Sequence, residues 1–191
     1  AAEHDAVYEV MVITAGLSVQ DPKERPQDKQ QKADLAHASF ADKDSDLIGL
    51  LNLFQAFKHE QQQLTQNQLR KWCLQHFIHY QRMREWQDIV HQVKHMLVPV
   101  GLRINKLEAD YEKIHRSMAV GLLAQIGLKD TNHQYLGARN SQFKIFPGSA
   151  VFKGQPKWIM AAELVETSAL YARQVAKIEV EWIESIAEHL L

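Results

Sequence analysis

The sequence predicts an α+β chain: an N-terminal α-helical bundle followed by a small β-barrel. Three observations carry that expectation. Apolar residues recur at helical spacing through the first two thirds of the chain; past Gly127 the texture breaks into short segments jointed by glycine and proline; and the closing run VEWIESIAEHL returns to a helical period. The 191 residues are 46% apolar and 24% charged, enough to bury a real core and too apolar for a disordered chain.

The first helix is marked by Val7, Val10, Met11 and Thr14. That pattern is already running near Ala1, with no initiating methionine, so the chain is read as a piece of something longer. In the loop SVQDPKERPQD, Arg25 and Pro26 mark a boundary, and Pro26 suits the first turn of a helix through Lys32, Leu35, Ala36 and Phe40. From Asp44, acidic starters precede Leu47, Leu50, Leu51, Phe54 and Phe57, with Ile48 and Leu53 on other faces, which predicts a central helix buried nearly all round. Thr65 and Gln68 in TQNQ form a capping box for a helix whose apolar face is Leu69, Trp72, Cys73, Phe77 and Tyr80. The next face is Met83, Trp86, Ile89, Val90, Val93, Met96 and Leu97, stopped by Pro99 and Gly101. A last bundle helix, Glu108 to Gln125, carries Tyr111, Ile114, Met118 and Leu122. Short loops between such helices predict an antiparallel bundle.

Two long β-type runs, KWIMAAELVET and ALYARQVAKIEV, dominate the C-terminal third. Before them, Phe143 and Ile145 point one way and Lys144 the other, as a half-buried strand requires, and Pro147-Gly148-Ser149 makes a turn. Several short strands closed by a helix predict a barrel of the oligonucleotide/oligosaccharide-binding (OB) type.

The net charge of −1 gives no global field for nucleic acid. Locally the balance differs: between residues 129 and 157, Lys129, Arg139, Lys144, Lys153 and Lys157 face the single acid Asp130. With Tyr135, Asn140 and Ser149 interleaved, such a run can hold a nucleic-acid backbone, although a solvated face has the same composition. The Pro-Gly-Ser turn is read first as a plain turn using glycine's free dihedrals. Cys73, the lone cysteine, fits inert burial and a reducing, cytoplasmic compartment. No stretch approaches a membrane span, and the start lacks a signal-peptide pattern.

Ten histidines raise a metal-dependent bundle enzyme as a hypothesis, with His91 and His95 one turn apart and Glu112-x-x-His115 as one di-iron-like motif. No second such motif exists, and these histidines lie beside the apolar stripes, so solvated helix surface accounts for them and no metal is expected. Trp72, Trp86, Met96 and Met118 are expected in the core. No nucleophile elbow and no phosphate-binding loop occurs, so the chain by itself should hydrolyse nothing.

Five stretches carry a family likeness: DPKERPQDKQQ, KDSDLIGLLNLFQAF, YQRMREWQDI, TNHQYLGARNSQFKIFPGSAVF and PKWIMAAELVETSALYARQVAKIEVEWIE. Together they resemble the helicase-associated C-terminal region of bacterial DEAH-type ATP-dependent RNA helicases. The resemblance implies that residues 1–41 end a winged-helix module and its connector, 42–126 form a ratchet-like bundle and 127–191 an OB-fold barrel with a C-terminal helix. It implies a role in clamping single-stranded RNA, or DNA, against RecA-like motor domains of the same chain. ATP and Mg would serve those motor domains, with no cofactor in this segment. Carried onto this sequence, it offers Arg139 and Asn140, Ser149 in FPGS, Lys153, Lys157, Thr167, Ser168 and Arg173 as RNA-binding positions. Lys144 joins Arg139, Lys153 and Lys157 as a phosphate contact, and Ser149 and Thr167 would bond sugar or base unless they only terminate strands. A docking module without RNA contact is the competing reading.

Overall fold

The computed structural model describes residues 1–190, so the last residue of the expected 127–191 segment lies outside the described residues. Two compact units divide the chain: one holds 7–41 and 48–104, the other 1–6, 42–47 and 105–191. The chain passes between the units after residues 6, 41, 47 and 104, and the helix at Tyr111 groups with the barrel and not with the bundle.

The helical unit contains α1 (Val7–Ser18), α2 (Gln30–Ala38), most of α3 (Asp46–Gln63), α4 (Gln66–Gln75) and α5 (Tyr80–Leu97). No residue from Asp46 to Phe57 is exposed, as the apolar density of that run predicted. At the centre Trp86 is fully buried, tilts against Phe54 at 5.1 Å, and donates its indole N–H to Val12 O at 2.8 Å. Close approach of α1 and α5 depends on Gly16, where a Cβ would stand 2.5 Å from Trp86 Cζ2. Thr65 and Gln68 cap α4 reciprocally, the two bonds the sequence predicted. Burial pushes the Cys73 thiol up to about 12, which leaves it without thiolate at neutral pH.

Two expectations fail in this unit. The face from Leu69 to Tyr80 is not one helix: α4 stops at Gln75, Phe77 turns left-handed (φ 54°), and Ile78 bridges Lys23 while Glu24 and His79 bond Phe77 O and Pro22 O. Backbone pairing with the Pro22 loop outcompetes continued helix there. Leu35 and Met96, read as members of apolar faces, are 77% and 71% exposed, because periodicity fixes a direction and not a covering partner.

In the second unit, strands β1 (Ile126–Lys129), β2 (Tyr135–Leu136), β3 (Gln142–Ile145), β4 (Trp158–Glu166) and β5 (Leu170–Lys177) close in the order β1-β2-β3-β5-β4. All neighbours are antiparallel except β3 and β5, which run parallel. Tyr135, Phe143, Ile145, Val151, Ile159, Ala161, Ala172 and Val175 fill the interior. Phe143 reaches Gly127 so closely that a Cβ there would meet its ring at 2.5 Å. Helices α6 (Tyr111–Leu122), capped by Asp110, and α7 (Val180–Leu190) pack together, and α6 also packs on β4.

His115 corrects the surface assignment given to the histidines. It is fully buried and stacked on Tyr111 at 3.8 Å. Its Nδ1 lies 2.6 Å from Tyr111 O, so that nitrogen carries the proton, and Nε2 accepts from Ser45 Oγ at 2.6 Å. Desolvation holds its pKa down to about 4, against the raising effects of the Tyr111 carbonyl and Asp42. His91 and His95 do lie on exposed surface, with their Nε2 atoms 3.0 Å apart.

Candidate nucleic-acid interface

Strand alternation sets the geometry of the candidate site. In β3, Phe143 and Ile145 enter the barrel, which turns Lys144 outward, and the parallel register places Lys144 beside Tyr171 and Ile145 beside the buried Ala172. Tyr171 and Arg173 therefore share the outer face with Lys144. Phe146, the next residue out of β3, packs edge-on to Tyr171 at 6.4 Å, and the Arg173 guanidinium lies 4.2 Å from its ring centre. A cation over an aromatic face at that distance is held by the ring quadrupole. The result is an outward group of two cations and two half-buried rings. Glu163 stands opposite Arg173 in the ladder, so the face is not purely basic.

The segment 146–157 leaves β3 through a turn closed by Ser149 N–H to Phe146 O at 2.9 Å. Gly148 does not use a positive φ, contrary to the first reading of this turn; glycine is needed because a Cβ would lie 2.6 Å from the Phe146 ring. Further on, Val151 is buried, and Lys153 and Lys157 are exposed. The far end is tied down by Tyr135 Oη donating to Pro156 O at 2.6 Å, Lys129 N–H to Lys157 O at 2.8 Å, and Lys129 Nζ to Gln155 O at 3.3 Å. His133 stacks on Phe152 beside it.

The remaining expected residues are spread over other loops. Arg139 and Asn140 are exposed in the β2–β3 turn, both left-handed (φ 55° and 59°), in a loop closed by Gly137 N–H to Ser141 O. Thr167 and Ser168 form the exposed tip of the β4–β5 hairpin. Lys144 and Arg173 thus share one face, Lys153 and Lys157 one loop, and the other four stand apart from both.

Two side chains named on the sequence are engaged inside the fold instead. Ser149 donates its hydroxyl to the Asp46 carboxylate and accepts from Val151 N–H, so its one proton is committed within the fold. Tyr135 is fully buried and its phenol is pushed up to about 12 by desolvation; it is core, not a ligand contact. The aromatics Phe146 and Tyr171 were missed. Their signal was present, since alternation carried one step past Ile145 places Phe146 on the same side as Lys144.

Comparison with known proteins adds to this geometry. Residues 114–190 match the family described as oligonucleotide/oligosaccharide-binding (OB)-fold. Along its full length the chain is 52% identical to the ATP-dependent RNA helicase HrpA homolog of Haemophilus influenzae and 47% identical to the ATP-dependent RNA helicase HrpA of Escherichia coli. It spans 15% of the length of each. Over 95% of the chain it is 26% identical to the probable ATP-dependent RNA helicase DHX35 of Homo sapiens, spanning 25% of that protein. The chain therefore matches, from end to end, the C-terminal region of HrpA-type ATP-dependent RNA helicases, and carries an OB-fold within it.

Proposed function

We propose that this segment is the accessory nucleic-acid-binding part of an ATP-dependent RNA helicase, holding single-stranded RNA on its barrel while RecA-like motor domains of the same protein pull it. The observation that carries this reading is the outer group Lys144, Phe146, Tyr171 and Arg173. Cations there neutralise phosphates, and the Tyr171 ring offers a stacking surface that only unpaired bases can use. Lys153, Lys157, Arg139 and Asn140 extend the contact along the backbone, and Thr167 and Ser168 present hydroxyls at the hairpin tip. ATP and Mg act in the motor domains; this chain lacks a phosphate-binding loop, so its contribution is grip and not hydrolysis.

Anisotropy of labelled oligo-U across a salt series tests the reading. Affinity should fall with salt, and Lys144→Ala with Lys153→Ala and Lys157→Ala should lower the log-log slope by about 0.7 for each phosphate no longer neutralised. Tyr171→Ala should weaken binding with the slope unchanged. Absence of binding at low salt would sink it and favour docking to motor or partner protein, a second reading supported by exposed Leu35, Leu74, Met96, Val98 and Val100. A matched oligo-dT strand decides between RNA and DNA.

A further inference from the structure

A single carboxylate stands behind the proposed face. Asp46, half-buried at the start of α3, accepts three hydrogen bonds from two separate segments: the Ser149 hydroxyl, Ala150 N–H at 3.1 Å, and Val175 N–H at 2.9 Å. These donors lie more than a hundred residues away in sequence. The backbone explains why the site exists. β5 follows β3 only as far as Ala172, whose carbonyl accepts from Phe146 N–H. Gln174 then turns left-handed (φ 52°) and drops out of the β4 ladder, while pairing resumes at Val175 with Ala161. A left-handed non-glycine residue inside a strand is strained, and persists only where its surroundings hold it. The Asp46 carboxylate takes the N–H that follows the kink, and with its other acceptor sites fixes the Pro-Gly-Ser turn against β5. Bonds to an ionised acceptor are roughly twice as strong as neutral ones.

We propose that Asp46 is a positioning residue for RNA binding: it locks the start of loop 146–157 to the kink in β5, and so sets Lys153 relative to Arg173 on the face that grips the strand. This rests on the RNA-binding reading above. Asp46 itself touches no RNA; as an anion it would repel the backbone if it did.

Two measurements on Asp46→Ala and Asp46→Asn, and on the milder Ser149→Ala, separate this proposal from the reading beneath it. Amide hydrogen exchange of Ala150 and Val175 should accelerate at least about tenfold in both Asp46 variants, while Ile145 and Ile159 keep their protection, the mark of local and not global opening. Ser149→Ala should accelerate Ala150 and Val151, whose N–H donates to the Ser149 hydroxyl, and leave Val175 protected. Oligo-U affinity should fall about tenfold with a shallower salt slope, since misplaced cations release fewer counterions. Lys153→Ala should weaken binding and leave exchange unchanged. Asp46→Asn keeps the shape and supplies the test if Asp46→Ala does not fold. Faster exchange with unaltered RNA binding would overturn the positioning role alone, as would unaltered exchange. Wild-type protein that binds no RNA would remove the functional reading and this role with it.

Discussion

The helical and barrel units fill their centres in the same way and finish their backbones in different ways. In each, a large ring presses on a glycine: Trp86 on Gly16, Phe143 on Gly127, with the same 2.5 Å approach to a notional Cβ. Helices satisfy most of their own N–H and C=O groups, and at the bundle's centre the Trp86 indole adds a bond to Val12 O. The barrel strands are as short as two residues, and their ladders run out before the chain turns. Side chains complete them. Asp46 takes Val175 N–H, Tyr135 donates to Pro156 O, and the Tyr111 hydroxyl lies 2.6 Å from Lys177 O and 3.0 Å from Asp44 O. Polar residues near the barrel are thus structural far more often than their chemistry alone advertises.

The largest test of that contrast is Trp86→Ala, which should cost the helical unit about 3–5 kcal/mol, read by denaturant titration with amide exchange followed separately in each unit. Next is pH. His115 is buried neutral with its pKa lowered from 6.5 to about 4, so below pH 6.5 the unfolded chain binds the extra proton. Its contribution is complete above about pH 6.5 and is lost as pH falls towards 4, on the order of 3 kcal/mol at 1.4 kcal/mol per pKa unit. Denaturation midpoints between pH 7 and 4 should show this slope, and His115→Gln should flatten it; no comparable slope should arise from Trp86. Gly127→Ala should cost about 1–3 kcal/mol through overpacking on Phe143. Gly16→Ala meets an equal clash but regains about 1 kcal/mol of helix propensity, so it should destabilise less by that margin. Equal losses for the two would mean that ring contact alone decides. Smallest is Thr65→Ala, which removes the cap of α4 for about 1 kcal/mol in thermal melts.

How far the sequence reveals this molecule follows the same line. What depends on neighbours three or four residues away was legible: the Thr65–Gln68 box, the closely packed face of α3, and the start of α6 near Asp110. Alternation placed Phe143 and Ile145 inside and Lys144 outside. The bonds that reposition side chains were not legible, because they join distant segments. His115 looks like surface until Ser45, seventy residues earlier, is brought to its Nε2. Ser149 looks like a free hydroxyl until Asp46 accepts its hydrogen bond. The grouping of α6 with the barrel has the same origin, since its apolar stripe specifies that it packs and not on what. At the interface, counting charge found Lys144 and the loop lysines and the family resemblance added Arg173, while neither singled out Phe146 and Tyr171, which alternation turns outward.

The parallel pairing of β3 with β5 closes the ring, so every strand already has two partners. No strand is left with a wholly free edge, so a guest peptide or a second copy finds only short stretches of open ladder, which disfavours strand addition as a mode of recognition and, with it, a common route to aggregation. Whatever the barrel grips must be held by its loops and outward side chains, and those can change their specificity without disturbing the ring that carries them.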